Sequence, residues 1–203
     1  KFYYDEGLTG FFGWLLPIPF GHVEGTLTYD GHTRQVSGTG YHDHNWGNIG
    51  LNDVMSHWYW GRAHLGDYSL IFVEMVGTEA YARQKVPNFM LAKGDRILTG
   101  DGHPLTLQTA EFQEHPSGKR YPRMADFHWQ AEAGTVHLAL REPKIIEAIS
   151  MLYFLPAWKK WLARRFVNPY YFRFNADLDL TVDFAGIHER ERGTALFELM
   201  FLH

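Results

Sequence analysis

Between Gly38 and Asn48 the chain reads Gly-Thr-Gly-Tyr-His-Asp-His-Asn-Trp-Gly-Asn. Two imidazoles, a carboxyl, a phenol, an amide and an indole lie between glycines. Such a run is costly to bury unless its polar groups find partners. On an extended strand alternate side chains share a face, so Tyr41, Asp43 and Asn45 point one way and His42, His44 and Trp46 the other. A carboxylic acid kept neutral in an apolar pocket can donate a proton to a substrate. Asp43 is thereby the candidate acid, with Tyr41 and Asn45 to orient it. The competing reading has Asp43 and Asn45 satisfying backbone groups at a strand end or bulge, with Tyr41 a core ring.

A second segment, Ser56-His57-Trp58-Tyr59-Trp60-Gly61-Arg62, places Trp58, Trp60 and Arg62 on one strand face. That row suits a flat unsaturated ligand, with the guanidinium at its end. The competing reading is a barrel core with Arg62 at the rim. Glu74 sits inside the apolar run Leu70 to Val76 and needs a partner, for which Arg62 is the natural candidate. His42 and His44 could supply two ligands of a metal site, with His57, His64 or Glu74 as a third. Twelve histidines make chance pairs common, and the expectation is no metal and no organic cofactor. No Gly-x-Ser-x-Gly elbow and no phosphate-binding glycine loop is present. With no cysteine in the chain, disulfides, thiolate metal sites and cysteine nucleophiles are excluded.

These segments need elements to hold them. The chain has 203 residues, 45% hydrophobic, 16% aromatic and 21% charged, a foldable composition rather than a disordered one. The net charge of -4 argues against a nucleic-acid groove binder. Short alternating segments punctuated by turn signals predict an all-β antiparallel barrel or sandwich. The turns fall at Asp30-Gly31, Leu65-Gly66, Lys93-Gly94-Asp95 and Gly134. One stretch departs from this. Residues 144–166 carry a helical pattern through Ile145, Ile146, Ile149, Leu152 and Tyr153, with Pro143 suited to a first turn. Beyond Pro156, Trp158, Trp161, Leu162 and Phe166 make one face, and Lys159, Lys160, Arg164 and Arg165 a basic one. The helix would plug one end of a barrel, or touch a membrane surface peripherally.

The stretch from Pro17 to Gly47, ending in Gly-Thr-Gly-Tyr-His-Asp-His-Asn-Trp-Gly, resembles the carotenoid 1,2-hydratase (hydroxyneurosporene synthase) and AttH-like superfamily, which includes lipocalin-like Diels–Alderases. The Trp58 to Arg62 strand and the closing Ala195-Leu196-Phe197-Glu198 fit it too. The resemblance implies two lipocalin-like β-domains: residues 1–50 as the end of a first, 51–203 as a complete second. It implies that the rest of the first domain is lost or comes from another chain. It implies a hydrophobic ligand and, in the hydratase branch, acid-initiated addition of water to an isoprenoid alkene at the positions of Asp43 and Tyr41. Joined to the strand-face reading, which adds Asn45, this gives the expected function: acid-initiated hydration or cyclisation of a hydrophobic unsaturated small molecule. Trp14, His42, His44, Trp46, Trp58, Trp60, Arg62 and Glu74 would line the substrate. In the hydratase branch a histidine precedes the tryptophan matched by Trp14, but Phe12 stands there, which counts against carotenoid hydration itself. A pericyclase using pocket shape, or a non-catalytic carrier, are the alternatives. The expected setting is cytoplasmic or membrane-peripheral.

Overall fold

The computed structural model describes residues 3–4, 10–154 and 168–203. The chain divides into two compact units, Lys1–Gly50 and Leu51–His203. The first unit is a three-stranded antiparallel sheet of β1 (Tyr3–Tyr4), β2 (Phe11–Tyr29) and β3 (His32–Gly47), in that order. Asp30 and Gly31 link β2 to β3 with φ of 49° and 75°. Two successive positive φ values are what a two-residue turn needs to match strand twist. Pro17 and Pro19 bring no N–H to the ladder, and the pairing slips between Leu15 and Ile18 and again between Ile18 and Gly21. Beyond these bulges the register is regular and sets Trp14 opposite Asn45 and Gly13 opposite Trp46.

The second unit opens with a single helical turn, α1 (Leu51–Val54), and continues as nine antiparallel strands. They are β4 (Met55–Leu65), β5 (Tyr68–Gly77), β6 (Lys85–Lys93), β7 (Arg96–Thr99), β8 (Leu105–Glu114), β9 (Arg120–Ala131), β10 (Gly134–Ser150), β11 (Tyr170–Phe184) and β12 (Ile187–Phe201). Their order in the sheet is β7-β6-β5-β4-β12-β11-β10-β9-β8. The sheet curls until its two halves meet across the interior. Phe72 on β5 packs on Phe127 of β9 at 4.8 Å between ring centroids, and Phe89 on β6 on Trp129 of β9 at 6.1 Å. Alternate residues of β11, from Phe172 to Phe184, point inward and are buried, as a half-wetted strand dictates. Burial of these rings and aliphatics supplies the main driving force, roughly 1.5–3 kcal/mol for each large side chain.

The helix expected from residue 144 is replaced by strand. Residues 144–150 belong to β10 and pair with β11, and Met151–Phe154 makes one 3₁₀ turn. The cause is local. Two register slips, between Arg141 and Lys144 and between Ile145 and Glu147, absorb Pro143 and break the two-residue alternation. Apolar residues then fall at spacings that imitate a helix, while the β-branched isoleucines suit the ladder. The rest of that expectation, including Trp158, Lys159 and the other basic residues, lies outside the described residues. Among the described residues no helix is long and apolar enough to cross a membrane.

Candidate functional site

The carboxyl of Asp43 takes two side-chain hydrogen bonds on the same oxygen. The Trp14 indole Nε1–H donates to Oδ2 at 2.7 Å and the Tyr41 hydroxyl donates to Oδ2 at 3.0 Å. Strand geometry explains the convergence. Tyr41 and Asp43 are two apart on β3 and share a face. Trp14 lies opposite Asn45 on β2, which puts the indole on that same face, diagonal to Asp43. Trp14, Tyr41 and Asp43 are half-buried. No main-chain group holds the Asp43 side chain among the described residues, and Oδ1 takes no bond there. Asn45 shares the face and is exposed.

His42, His44 and Trp46 occupy the opposite face of β3 and are exposed. The His44 imidazole stacks on the Trp46 indole at 5.9 Å, 11° from parallel. The indole covers Gly13 so closely that a Cβ there would lie 2.7 Å from it. His42 and His44 make no three-ligand cluster with another His, Asp or Glu among the described residues.

Trp58, Trp60 and Arg62 do share one face of β4, each half-buried. It is the outer face of the second unit's sheet, because Tyr59 and Gly61 between them point into the core. The proposed pairing of Glu74 with Arg62 fails on parity. Glu74 lies opposite Tyr59 and Arg62 opposite Ile71, so the two side chains leave opposite faces. Glu74, only 5% exposed, pairs instead with Lys85 at 3.0 Å.

Glu74 lies opposite Tyr59, and with His57 these residues make a polar group at the inner face of β4. The rings of His57 and Tyr59 lie 5.7 Å apart at the end of the core, with Phe201 beyond His57 at 6.2 Å. Burial first, and the Glu74 charge second, push the Tyr59 hydroxyl up to about 12. Burial, then the charges of Arg83 and Lys85, lower the pKa of His57. The alternation placing His57, Tyr59 and Gly61 on one side of β4 was legible. That this side is the inner one was not. A further cluster is not apparent from sequence spacing because it joins two strands: Asp126, His128 and His137 bring three metal-ligating atoms within 4.8 Å of one another.

The antiparallel β-sheet of the second unit, curled over an aromatic core, is of the lipocalin-like class. The model of the Diels-Alderase-like family matches residues 6–114, and the chain belongs to that family. A quinolone epoxide rearrangement protein of Emericella nidulans is 28% identical over 131 residues, 62% of this chain and 35% of that protein. Among solved structures, CghA with Sch210972 matches 93% of this chain and 54% of its own at 14% identity, with a TM-score of 0.60. Kievitone hydratase from Nectria haematococca matches 97% and 57% at 16% identity, with a TM-score of 0.57. The chain thus spans about a third of that relative and just over half of each of these structures.

Proposed function

We propose that this protein is an enzyme acting on a hydrophobic unsaturated small molecule, with Asp43 as the proton donor. The observation that carries this is the placing of both hydrogen bonds to Asp43 on Oδ2. When the acid is protonated, the proton resides on Oδ1, because Oδ2 already accepts twice. Oδ1–H then adds to one carbon of an alkene. A C–H bond forms, the π bond breaks and the neighbouring carbon becomes cationic. The carboxylate left behind is stabilised by the indole N–H and the phenol. Water capture of the cation, with its proton returned to Asp43, gives hydration. Capture by a second double bond forms a C–C bond and moves the cation to the far carbon of that bond; loss of a neighbouring proton to the Asp43 carboxylate then completes cyclisation and restores the acid. Family membership and the hydratase and rearrangement names of its relatives support this class of chemistry, and the substrate within it is our reading.

The second reading, a pericyclase that folds a polyene by pocket shape, draws on the family model and on the Trp58, Trp60 and Arg62 row. One experiment separates the readings: incubation with a panel of linear polyenes and isoprenoid alkenes in deuterium oxide. Acid initiation puts one deuterium on carbon and loses at least ~100-fold in rate on Asp43→Asn. Cycloaddition leaves carbon unlabelled and tolerates that variant. Substrates returned unaltered under all conditions, yet retained by the protein, would mark a carrier.

A further inference from the structure

The outer face of β9 and β10 carries the cluster formed by Asp126, His128 and His137. His137 lies directly opposite His128 in the ladder. Asp126 is two residues from His128 on the same strand, hence on the same face. The alternating Phe127, Trp129, Val136 and Leu138 point into the core and anchor the backbone on both sides. The three side chains are therefore presented by a rigid double strand rather than by a loop. His137 Nε2 is 3.0 Å from Asp126 Oδ1, and the two imidazoles stack at 4.2 Å, 7° from parallel.

We infer that Asp126, His128 and His137 form a binding site for a divalent first-row transition ion of the zinc kind. Two imidazoles and one carboxylate are a donor set that such ions prefer over magnesium or calcium. Metal–ligand distances of about 2.0–2.2 Å place ligand atoms roughly 3–3.5 Å apart. A cluster whose atoms lie within 4.8 Å closes to that spacing by side-chain rotation without backbone movement. The imidazoles need one ring turned, since parallel rings aim their lone pairs in parallel. His137 has room for this, its side chain being 38% exposed. Coordination at Nε2 also requires the His137 proton to move to Nδ1 through solvent.

Arg141 sets the strength of the site. Its guanidinium donates to Asp126 Oδ1 at 2.8 Å and to the Leu140 carbonyl at 2.8 Å. It orients the carboxylate, as an outer partner of a metal ligand does. It also offsets the carboxylate's charge, so the affinity is expected to lie below that of a like site with an unpaired carboxylate. Three protein ligands leave coordination positions for water or a small molecule. His128 borders an open cleft of ≈ 610 Å³, lined also by Pro104, Thr106, Gln130, Ala131 and Glu132, through which such a molecule reaches the ion.

The test is a Zn²⁺ titration at pH 7.5 against a chromogenic chelator, with Co²⁺ absorption as a second readout. One ion per chain is expected, weakened at least ~10-fold by His128→Ala and by His137→Ala, with a rise in Tm on adding Zn²⁺ that both variants lose. A single cooperative melt of each variant without metal reports intact folding. His103→Ala and His188→Ala serve as controls, since His103 pairs with Asp101 and His188 with Asp183 elsewhere on the surface. Binding that the controls reduce as much as the site variants do is adventitious and overturns the assignment. So does a parent protein that holds no more Zn²⁺ than His128→Ala/His137→Ala.

Discussion

The Trp14 and Tyr41 donors make a sharper test of Asp43 than removal of the acid itself. Each contributes one hydrogen bond to Oδ2. A bond to a neutral acid is worth about 1 kcal/mol, and a bond to the carboxylate left after proton transfer about 1.5–3 kcal/mol. The difference is realised only as charge develops, so it appears in kcat and not in KM. Trp14→Phe and Tyr41→Phe should each lower kcat by roughly 3- to 30-fold with little change in KM. Equal loss in kcat on every substrate of the panel supports the acid role. A change confined to KM would make the pair a binding surface. Tyr41 and Asp43 were readable from β3 alone, since a two-residue spacing fixes their shared face. The Trp14 bond was not, because it depends on cross-strand register, and that register is shifted by Pro17 and Pro19.

At the level of elements, both units use a glycine directly opposite an aromatic residue. Gly13 faces Trp46 in the first, and Gly61 faces Phe72 in the second. A Cβ on Gly61 would fall 2.2 Å from the Phe72 ring, which is fully buried and cannot retreat. Overpacking of this kind costs about 1–3 kcal/mol. Gly61→Ala should therefore lower the unfolding free energy measured by urea titration by that amount, and adding Phe72→Leu should recover part of the loss. An unfolding free energy within ~0.5 kcal/mol of the parent's would remove the steric argument. The tight turns at Asp30-Gly31 and Lys93-Gly94-Asp95 were legible, because they rest on dipeptides that tolerate positive φ. The 144–150 strand has the sequence period of a helix because two bulges disguise its alternation. The inner and outer faces of β4 could not be told apart from sequence, since both carry aromatic residues. Which face is buried follows from how the whole sheet curls.

Across the molecule as a whole, stability should depend on pH through the buried end of the second unit's core. His57 sits against Tyr59 and Phe201, and burial, then Arg83 and Lys85, favours its neutral form. Its folded pKa thus lies below the unfolded value of 6.5. Between those two values the unfolded chain binds more protons than the folded one, so unfolding free energy rises with pH. The contribution is complete above 6.5 and is lost as pH falls toward the folded pKa. It can change by no more than about 1.4 kcal/mol per pH unit. His128, lowered by burial and then by His137, adds to the same window. The carboxylates held down by Arg123 and Lys93 partners, Glu142 and Glu189, act at lower pH. Urea unfolding at steps from pH 7.5 to 5, with EDTA present to keep metal from His128, should show the fall. His57→Gln should flatten its first part while leaving the His128 share. A variant whose profile overlays that of the parent would mean that His57 is protonated alike in both states, and that the end of the core is wet.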